Sequence, residues 1–184
     1  IERYTFMEEN TNATARQKME YLSMALDRWG GWQRMGALRT KQRQLTEQQF
    51  LAVIGSNVIT PGVQRDVQLL NLRGIDTLTM TIYRVKAEGD CYYEPDREDD
   101  YAKLKKIMTA MPEMTQRRHY EGKMDYEVYD DTMLLPGLPP GVYMVQVESS
   151  PTTRVSRNML FVSNVRLISQ PLPGRRVRFV AVNA

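Results

Sequence analysis

The chain has 184 residues, of which 42% are hydrophobic and 26% charged, proportions that are ordinary for a globular protein. Its 25 basic and 22 acidic residues leave a formal charge of +3. Over the whole chain the two signs are mixed, which gives little reason to expect a nucleic-acid-binding protein. The single cysteine, Cys91, excludes an intrachain disulfide, and no apolar run approaches the roughly 18 residues needed to cross a bilayer.

The two ends of the sequence suggest a segment of a larger protein. The chain starts at Ile1 without a methionine and stops directly after an apolar alternating run that reaches Val182. We therefore expect an excised segment, for which a missing signal peptide says nothing about the location of the parent protein.

The first 45 residues predict a helical lead-in. Residues 5–29 have one apolar stripe at helical spacing, formed by Met19, Leu22, Leu26 and Trp29. Gly30 and Gly31 mark its end, and residues 32–38 predict a second short helix. Helices this short need a partner surface, so we expect them to pack on the following domain through Trp29 and Trp32.

Residues 46–184 predict a β-sandwich. The clearest strand covers residues 77–85, where Leu78, Met80 and Ile82 alternate with threonines. Further strands are expected at 50–59, 63–72, 124–130, 142–148 and 154–168, the last with a bend near Ser163, and at 176–183. Seven strands separated by turn signals predict a mainly β, antiparallel immunoglobulin-like sandwich.

Residues 86–122 interrupt this pattern and predict a helical insertion. Asp96 is the expected N-cap, and residues 101–108 then keep helical spacing as far as Pro112. Six tyrosines lie in or near the insertion, and such side chains are enriched at interfaces; they are Tyr92, Tyr93, Tyr101, Tyr120, Tyr126 and Tyr129. We favour the interpretation that Tyr126 and Tyr129 are ordinary strand residues and that the others pack the insertion onto the sheet. The alternative is that these tyrosines recognise a glycan or a partner protein.

The residues that could carry chemistry are few. His119 is the one histidine, and it could meet Cys91 because the two bracket the inserted helix. We favour an exposed histidine and an inert thiol instead. Two Cys or His residues are too few for structural zinc. The acids at 96–100 lack the glycine of a calcium loop, and they are better explained as stabilising a helix N-terminus. We expect no catalytic, cofactor-binding or metal-binding residues, and no cofactor.

Three segments together resemble the macroglobulin domains of bacterial alpha-2-macroglobulins: residues 138–147 (LPPGVYMVQV), 160–165 (LFVSNV) and 177–182 (VRFVAV). Upstream, residues 70–76 and 80–85 (MTIYRV) are similar to a hairpin of that family. The resemblance implies a seven-stranded sandwich in a periplasmic or outer-membrane-anchored parent that traps proteases. It also implies that a new domain opens with a run like residues 175–184. We therefore expect the last strand, residues 176–183, either to belong partly to the next domain or to lie exposed at a sheet edge.

The reactive thioester sequence of many alpha-2-macroglobulins is absent, because Cys91 is followed by Tyr92 and Tyr93. The resemblance therefore implies a scaffold rather than the covalent trap. Its partners would be neighbouring domains of the same larger chain and, through the parent, a target protease, with no nucleic acid and no small-molecule substrate. The alternative is an immunoglobulin-like module that binds a glycan or a protein through the 86–122 insertion.

Overall fold

The computed structural model describes residues 9–10, 12–87 and 93–183. Within that part the chain is mainly β, with three helices and three sheets in an open, sandwich-like arrangement. None of the helices in these ranges combines the length and the apolarity that a bilayer crossing needs.

The lead-in contains two α-helices, α1 at Ala15–Trp29 and α2 at Gly36–Thr46, joined by a 3₁₀ turn at Gln33–Met35. Helix α1 begins at Ala15, where Thr14 and Gln17 form a capping box: the Thr14 hydroxyl accepts from the Gln17 backbone N–H, and the Gln17 side chain accepts from the Thr14 N–H. Residues 10 and 12–14 are not helical. The predicted start at residue 5 lies outside the described residues. Helix α2 runs several residues further than the expected end near residue 38.

Ten strands follow within the described residues: β1 Gln49–Ile54, β2 Val58–Ile59, β3 Arg65–Arg73, β4 Thr77–Val85, β5 Met114–His119, β6 Tyr129–Leu135, β7 Gly141–Ser150, β8 Val155–Val162, β9 Val165–Leu172 and β10 Arg176–Asn183. They form a three-stranded sheet in the order β1-β3-β6, a five-stranded sheet in the order β2-β8-β7-β4-β5, and a separate β9-β10 hairpin. Neighbouring strands are antiparallel except β2 and β8, which are parallel. The observed arrangement therefore differs from the predicted one, in which seven strands all paired antiparallel.

The main core lies between the three-stranded and the five-stranded sheet. The alternation predicted in β4 is confirmed, because Leu78, Met80 and Ile82 are all fully buried while the threonines between them are partly exposed. The next strand in the sheet, β7, contributes Tyr143 and Val145 to the same core. Burial of apolar side chains from both sheets is the main source of stability in such a sandwich.

The outer face of the five-stranded sheet is covered as well. Helix α3 (Glu98–Ile107), the predicted inserted helix, places Leu104 against Val85, Met144 and Met159 in a second buried cluster. Strand β7 is consequently buried on both faces, since Met144 points away from the core that contains Tyr143.

Four strand predictions need correction. The run at 154–168 is two strands, β8 and β9, which belong to different sheets. The run at 50–59 is two strands in different sheets, because the chain bends at residues 55–57, where the Ser56 hydroxyl donates to the Val58 carbonyl oxygen. Residues 124–128 are turn rather than strand, and β6 begins only at Tyr129. Inside the expected insertion, β5 pairs with β4 at the edge of the five-stranded sheet.

The helical lead-in forms its own small core. Met19 and Leu22 of α1 are buried against Met35 and Leu38, and Tyr126 packs on this cluster from the sandwich side. Trp29 and Trp32 do not pack on the sandwich as predicted; their side chains are 40% and 61% exposed. The apolar stripe of α1 is covered by the following helix instead, which leaves both indoles at the turn between the helices.

Candidate functional site

The described part of the insertion is fixed to the sheet by contacts around Tyr101. The Arg157 guanidinium lies 3.7 Å and the Lys105 ammonium 4.8 Å from the centre of the Tyr101 ring, which is within the range of cation–π attraction. Asp96 accepts a hydrogen bond from the Arg157 backbone N–H (2.9 Å). Asp96 is therefore not the N-cap that the sequence predicted; Arg97 has that position, without a side-chain capping bond.

The tyrosines near the insertion are distributed over three separate packing sites. Tyr93 and Tyr101 pack around the α3 cluster, whereas Tyr120 and Tyr129 pack against the main core with ring centres 5.4 Å apart. Tyr126 packs on the helical lead-in, and Tyr92 lies outside the described residues. The described tyrosines thus form no shared binding surface.

His119 is exposed at the end of β5, where its Nδ1 lies 2.9 Å from the Thr77 hydroxyl oxygen. Cys91, its suggested partner, lies outside the described residues, so the structure does not test whether the two side chains meet. Sequence reasoning singled out both residues by type alone.

The acidic residues at the start of α3 are occupied by local contacts. Asp100 accepts from the Lys103 ammonium (3.0 Å) and from the Glu94 backbone N–H (3.2 Å), and these two hydrogen bonds hold the Asp100 pKa below its ordinary value. Across the described ranges, no group of three or more His, Cys, Asp or Glu residues could hold a metal ion.

A cleft of about 610 Å³ lies where the helical lead-in meets the sandwich. Its charged lining residues include both signs: Arg43, Glu47, Asp76, Lys123, Asp125 and Arg154. Arg154 pairs with Glu47 at 2.6 Å. On the cleft wall, the Gln48 side chain accepts from the Thr152 N–H and donates to the Thr152 carbonyl oxygen. These contacts hold the lead-in to the sandwich. Because its lining contains three cationic and three anionic side chains, the cleft has no dominant charge.

A polar network connects the end of β5 to β6, which belong to different sheets. Asp131 accepts from the Arg118 guanidinium (3.0 Å) and from the Tyr120 hydroxyl (2.9 Å). Burial raises the Asp131 pKa, but hydrogen bonds from the Thr132 backbone, Tyr120 and Arg118 outweigh it and hold this pKa below its ordinary value. Burial and the bond to Asp131 together raise the Tyr120 pKa well above its ordinary value.

The β9-β10 hairpin exposes several large apolar side chains, among them Leu167 and Phe179. Its two strands pair with each other and with no other described strand. Cross-strand partners share a face, and one face of the hairpin contains no charged residue: Val165, Leu167, Ser169, Pro171, Val177, Phe179, Ala181 and Asn183. All eight are exposed. Sequence alternation predicted strands here but did not reveal that the apolar side would be uncovered.

Comparison with known proteins gives little further information. No family model matches the chain, and no curated protein matches it. A solved structure from a study of a chaperone–tip adhesin complex in CFA/I fimbriae biogenesis is similar over 72% of this chain, at 11% identity and a TM-score of 0.40. The chain spans 66% of that neighbour's length. A likeness this low carries no argument about fold or function.

Proposed function

We propose that the chain is a non-catalytic structural domain of an alpha-2-macroglobulin-like protein of the bacterial cell envelope, built as an immunoglobulin-like sandwich. Its task would be to hold neighbouring domains at fixed positions in a shell that traps proteases. The parent would be periplasmic or anchored in the outer membrane.

The strand order supports the immunoglobulin-like assignment. If β1 and β2 are one first strand divided between the sheets, β3 is the second strand and β6 the fifth, all in one sheet. Strands β4, β7 and β8 are then the third, sixth and seventh, adjacent in the other sheet. This distribution matches immunoglobulin-type Greek keys except for the fourth strand, which has no counterpart beside β6 among the described strands. Strand β5 lies beside the third strand, where the variable type has extra strands.

A hydrogen bond at the start of β7 adds to this support. The Tyr143 hydroxyl donates to the Pro139 carbonyl oxygen at 2.9 Å. A tyrosine near the start of the sixth strand, bonded back to the backbone a few residues upstream, is the tyrosine corner of such sandwiches. The bond involves the Pro-Pro-Gly-x-Tyr stretch on which the resemblance to macroglobulin domains depends.

The β9-β10 hairpin is the single observation that carries the scaffold function. An isolated two-stranded hairpin is marginally stable in water, and this one exposes a whole uncharged face. It follows β8 after a break of only two residues, so a domain built on it would be tied closely to the sandwich. We propose that residues 165–183, and not only the last ten residues, contribute the first strands of the neighbouring domain.

The alternative function, binding of a glycan or a protein through the 86–122 insertion, has weaker support. Tyr93 and Tyr101, the described tyrosines closest to α3, are partly buried in the cluster that fixes the helix to the sheet. Glycan-array binding that disappears when Tyr92 and Tyr93 are replaced by alanine would favour this alternative over the scaffold.

The trapping function is tested on the proposed parent protein. After incubation with a protease such as trypsin, a trap should block cleavage of a protein substrate while a small peptide substrate is still cleaved, because only the small one diffuses into a closed shell. The 184-residue chain alone is the control and should block neither. Full cleavage of both substrates by the protease treated with the longer protein would refute trapping.

The proposed domain junction is tested by a matched pair of substitutions in the longer protein. Phe179→Glu places a charge on the uncharged face of the hairpin, whereas Arg178→Glu changes the opposite face. We expect faster proteolytic cutting within residues 163–183 for Phe179→Glu only. Equal cutting rates for the two variants would contradict a covered hairpin face.

A further inference from the structure

The turn between α1 and α2 contains two exposed tryptophans, Trp29 and Trp32. The Trp32 backbone N–H donates to the Trp29 carbonyl oxygen at 2.9 Å, which closes the turn and brings the two residues together. Gly31 lies between them in open space, with no atom within 4 Å of where a Cβ would stand. Two exposed indoles three residues apart in sequence are candidates for contact with an apolar or interfacial surface.

The charged residues that follow Asp27 in the sequence are all cationic as far as residue 46. From residue 28 to residue 46 the sequence contains five cationic residues and no acidic one: Arg28, Arg34, Arg39, Lys41 and Arg43. Arg28, Arg34 and Arg39 are exposed, and the Arg28 guanidinium lies 5.7 Å from the centre of the Trp29 ring. Indole and guanidinium groups are thus presented together at this turn.

We propose that this turn, residues 28–34, rests on the surface of an anionic lipid bilayer. Tryptophan is enriched at the membrane–water interface because its ring is apolar and its N–H is polar. Arginines beside it attract anionic headgroups, and each contributes to binding near the surface. A protein held in this way lies on the membrane without crossing it. The turn is remote from the β9-β10 hairpin in sequence, and this docking does not depend on protease trapping.

Charge and shape favour a lipid surface over a second copy of the chain or a sugar. Two copies meeting at this turn would bring like-charged arginines together, which is unfavourable. Neither tryptophan lines the cleft of the sandwich, so the indoles are offered on an open turn rather than in a pocket shaped for a small ligand. Anionic headgroups complement the arginines without requiring a pocket.

The two indoles are also the reporters of the test, because the chain has only these two tryptophans. The full chain is mixed with vesicles of phosphatidylcholine containing about one third phosphatidylglycerol, at low salt, and with vesicles of phosphatidylcholine alone. We expect co-sedimentation and a blue shift of tryptophan emission with the anionic vesicles only. Both signals should weaken at high salt, which screens the arginine–headgroup attraction.

Variants locate the contact. Arg28→Gln should lower the vesicle partition coefficient about fivefold, the effect of about one surface cation. Trp29→Ser with Trp32→Ser should lower it at least about tenfold by sedimentation, because two interfacial rings are lost. Trp29→Phe and Trp32→Phe each retain one reporter and should still show a blue shift. The matched controls are Arg117→Gln, an exposed arginine on β5, and Phe179→Ser, an exposed ring on the hairpin; both should bind as the original chain does.

Three outcomes would overturn the proposal. One is no association of the original chain with anionic vesicles at low salt. Another is association that the double tryptophan variant retains, or that Phe179→Ser abolishes, since the contact would then lie elsewhere. The third is a blue shift that depends on protein concentration without lipid, which would mean that a second copy covers the turn.

Discussion

Strands β4 and β10 have the same alternating pattern but opposite environments. In β4 every second side chain from Leu78 to Ile82 is buried, whereas in β10 no described side chain is buried. The pattern shows only that one side of a strand is suited to being covered. Which surface covers it depends on the rest of the molecule: in β4 the covering surface is the facing sheet, and for β10 we propose a neighbouring domain.

The largest expected effect contrasts one leucine from each region. Leu78→Ala should lower the free energy of unfolding by about 3 kcal/mol, because it leaves a cavity in the main core. Leu167→Ala should change it by less than about 0.5 kcal/mol, since that side chain is already 68% exposed. Urea unfolding followed by far-ultraviolet circular dichroism measures both. Similar losses for the two variants would show that the hairpin is part of the sandwich core.

A smaller effect is expected where helix α3 covers the outer face of the sheet. Leu104→Ala removes a fully buried side chain from the small cluster under α3 and should cost about 2 kcal/mol. Amide hydrogen exchange should show faster exchange in α3 than in β4, because the helix can open locally. Lys106→Ala, on the exposed side of α3, is the control. Unchanged exchange in α3 of the Leu104 variant would contradict this interpretation of the cluster.

The hydroxyl of Tyr143 is expected to contribute less. Tyr143→Phe keeps the buried ring and removes only the bond to the Pro139 carbonyl oxygen, so the expected loss in unfolding free energy is about 1 kcal/mol. Thermal and urea unfolding of the two proteins measure it. A variant as stable as the original chain would show that this bond does not hold the loop before β7, and it would weaken the comparison with a tyrosine corner.

The smallest effect concerns pH. Asp131 has a pKa below its ordinary value of about 4, so its carboxylate stabilises the folded chain above that pH. This stabilisation is lost as the pH falls towards the folded-state pKa. Asp131→Asn should reduce the acid-induced loss of stability by less than about 1 kcal/mol, because the ion pair is partly exposed. Asp66→Asn, an exposed aspartate on β3, is the control, and an equal change in both variants would contradict a specific role of Asp131.

Local pattern was sufficient where one face of a strand meets the core. It correctly predicted the buried side of β4. It also located the break at residues 163–164, although the run at 154–168 is two strands in different sheets rather than one bent strand. It failed where the cover comes from a distant part of the sequence: Met144 of β7 is buried only because α3 lies across it. Strand β5 was missed because its residues are mostly polar and exposed, as an edge strand allows.

The candidate surfaces were harder to predict than the fold. The sequence drew attention to the tyrosines of the insertion, and the described ones prove to be packing residues. The apolar side of α1 was predicted correctly, but the surface that covers it was not. Met35 and Leu38 cover that side, where we expected the sandwich. The exposure of Trp29 and Trp32 follows from that choice of partner, and helical spacing alone cannot show it.

The parallel pairing of β2 with β8 has a mechanical consequence. Phe161 donates to the Asn57 carbonyl oxygen, and Ser163 donates to that of Ile59 at 3.0 Å. Tension between the two ends of the chain pulls β2 towards its start and β8 towards its end, so these bonds are loaded together in shear rather than opened one after another. A sandwich tethered at both ends would therefore resist stretching most strongly at its shortest strand.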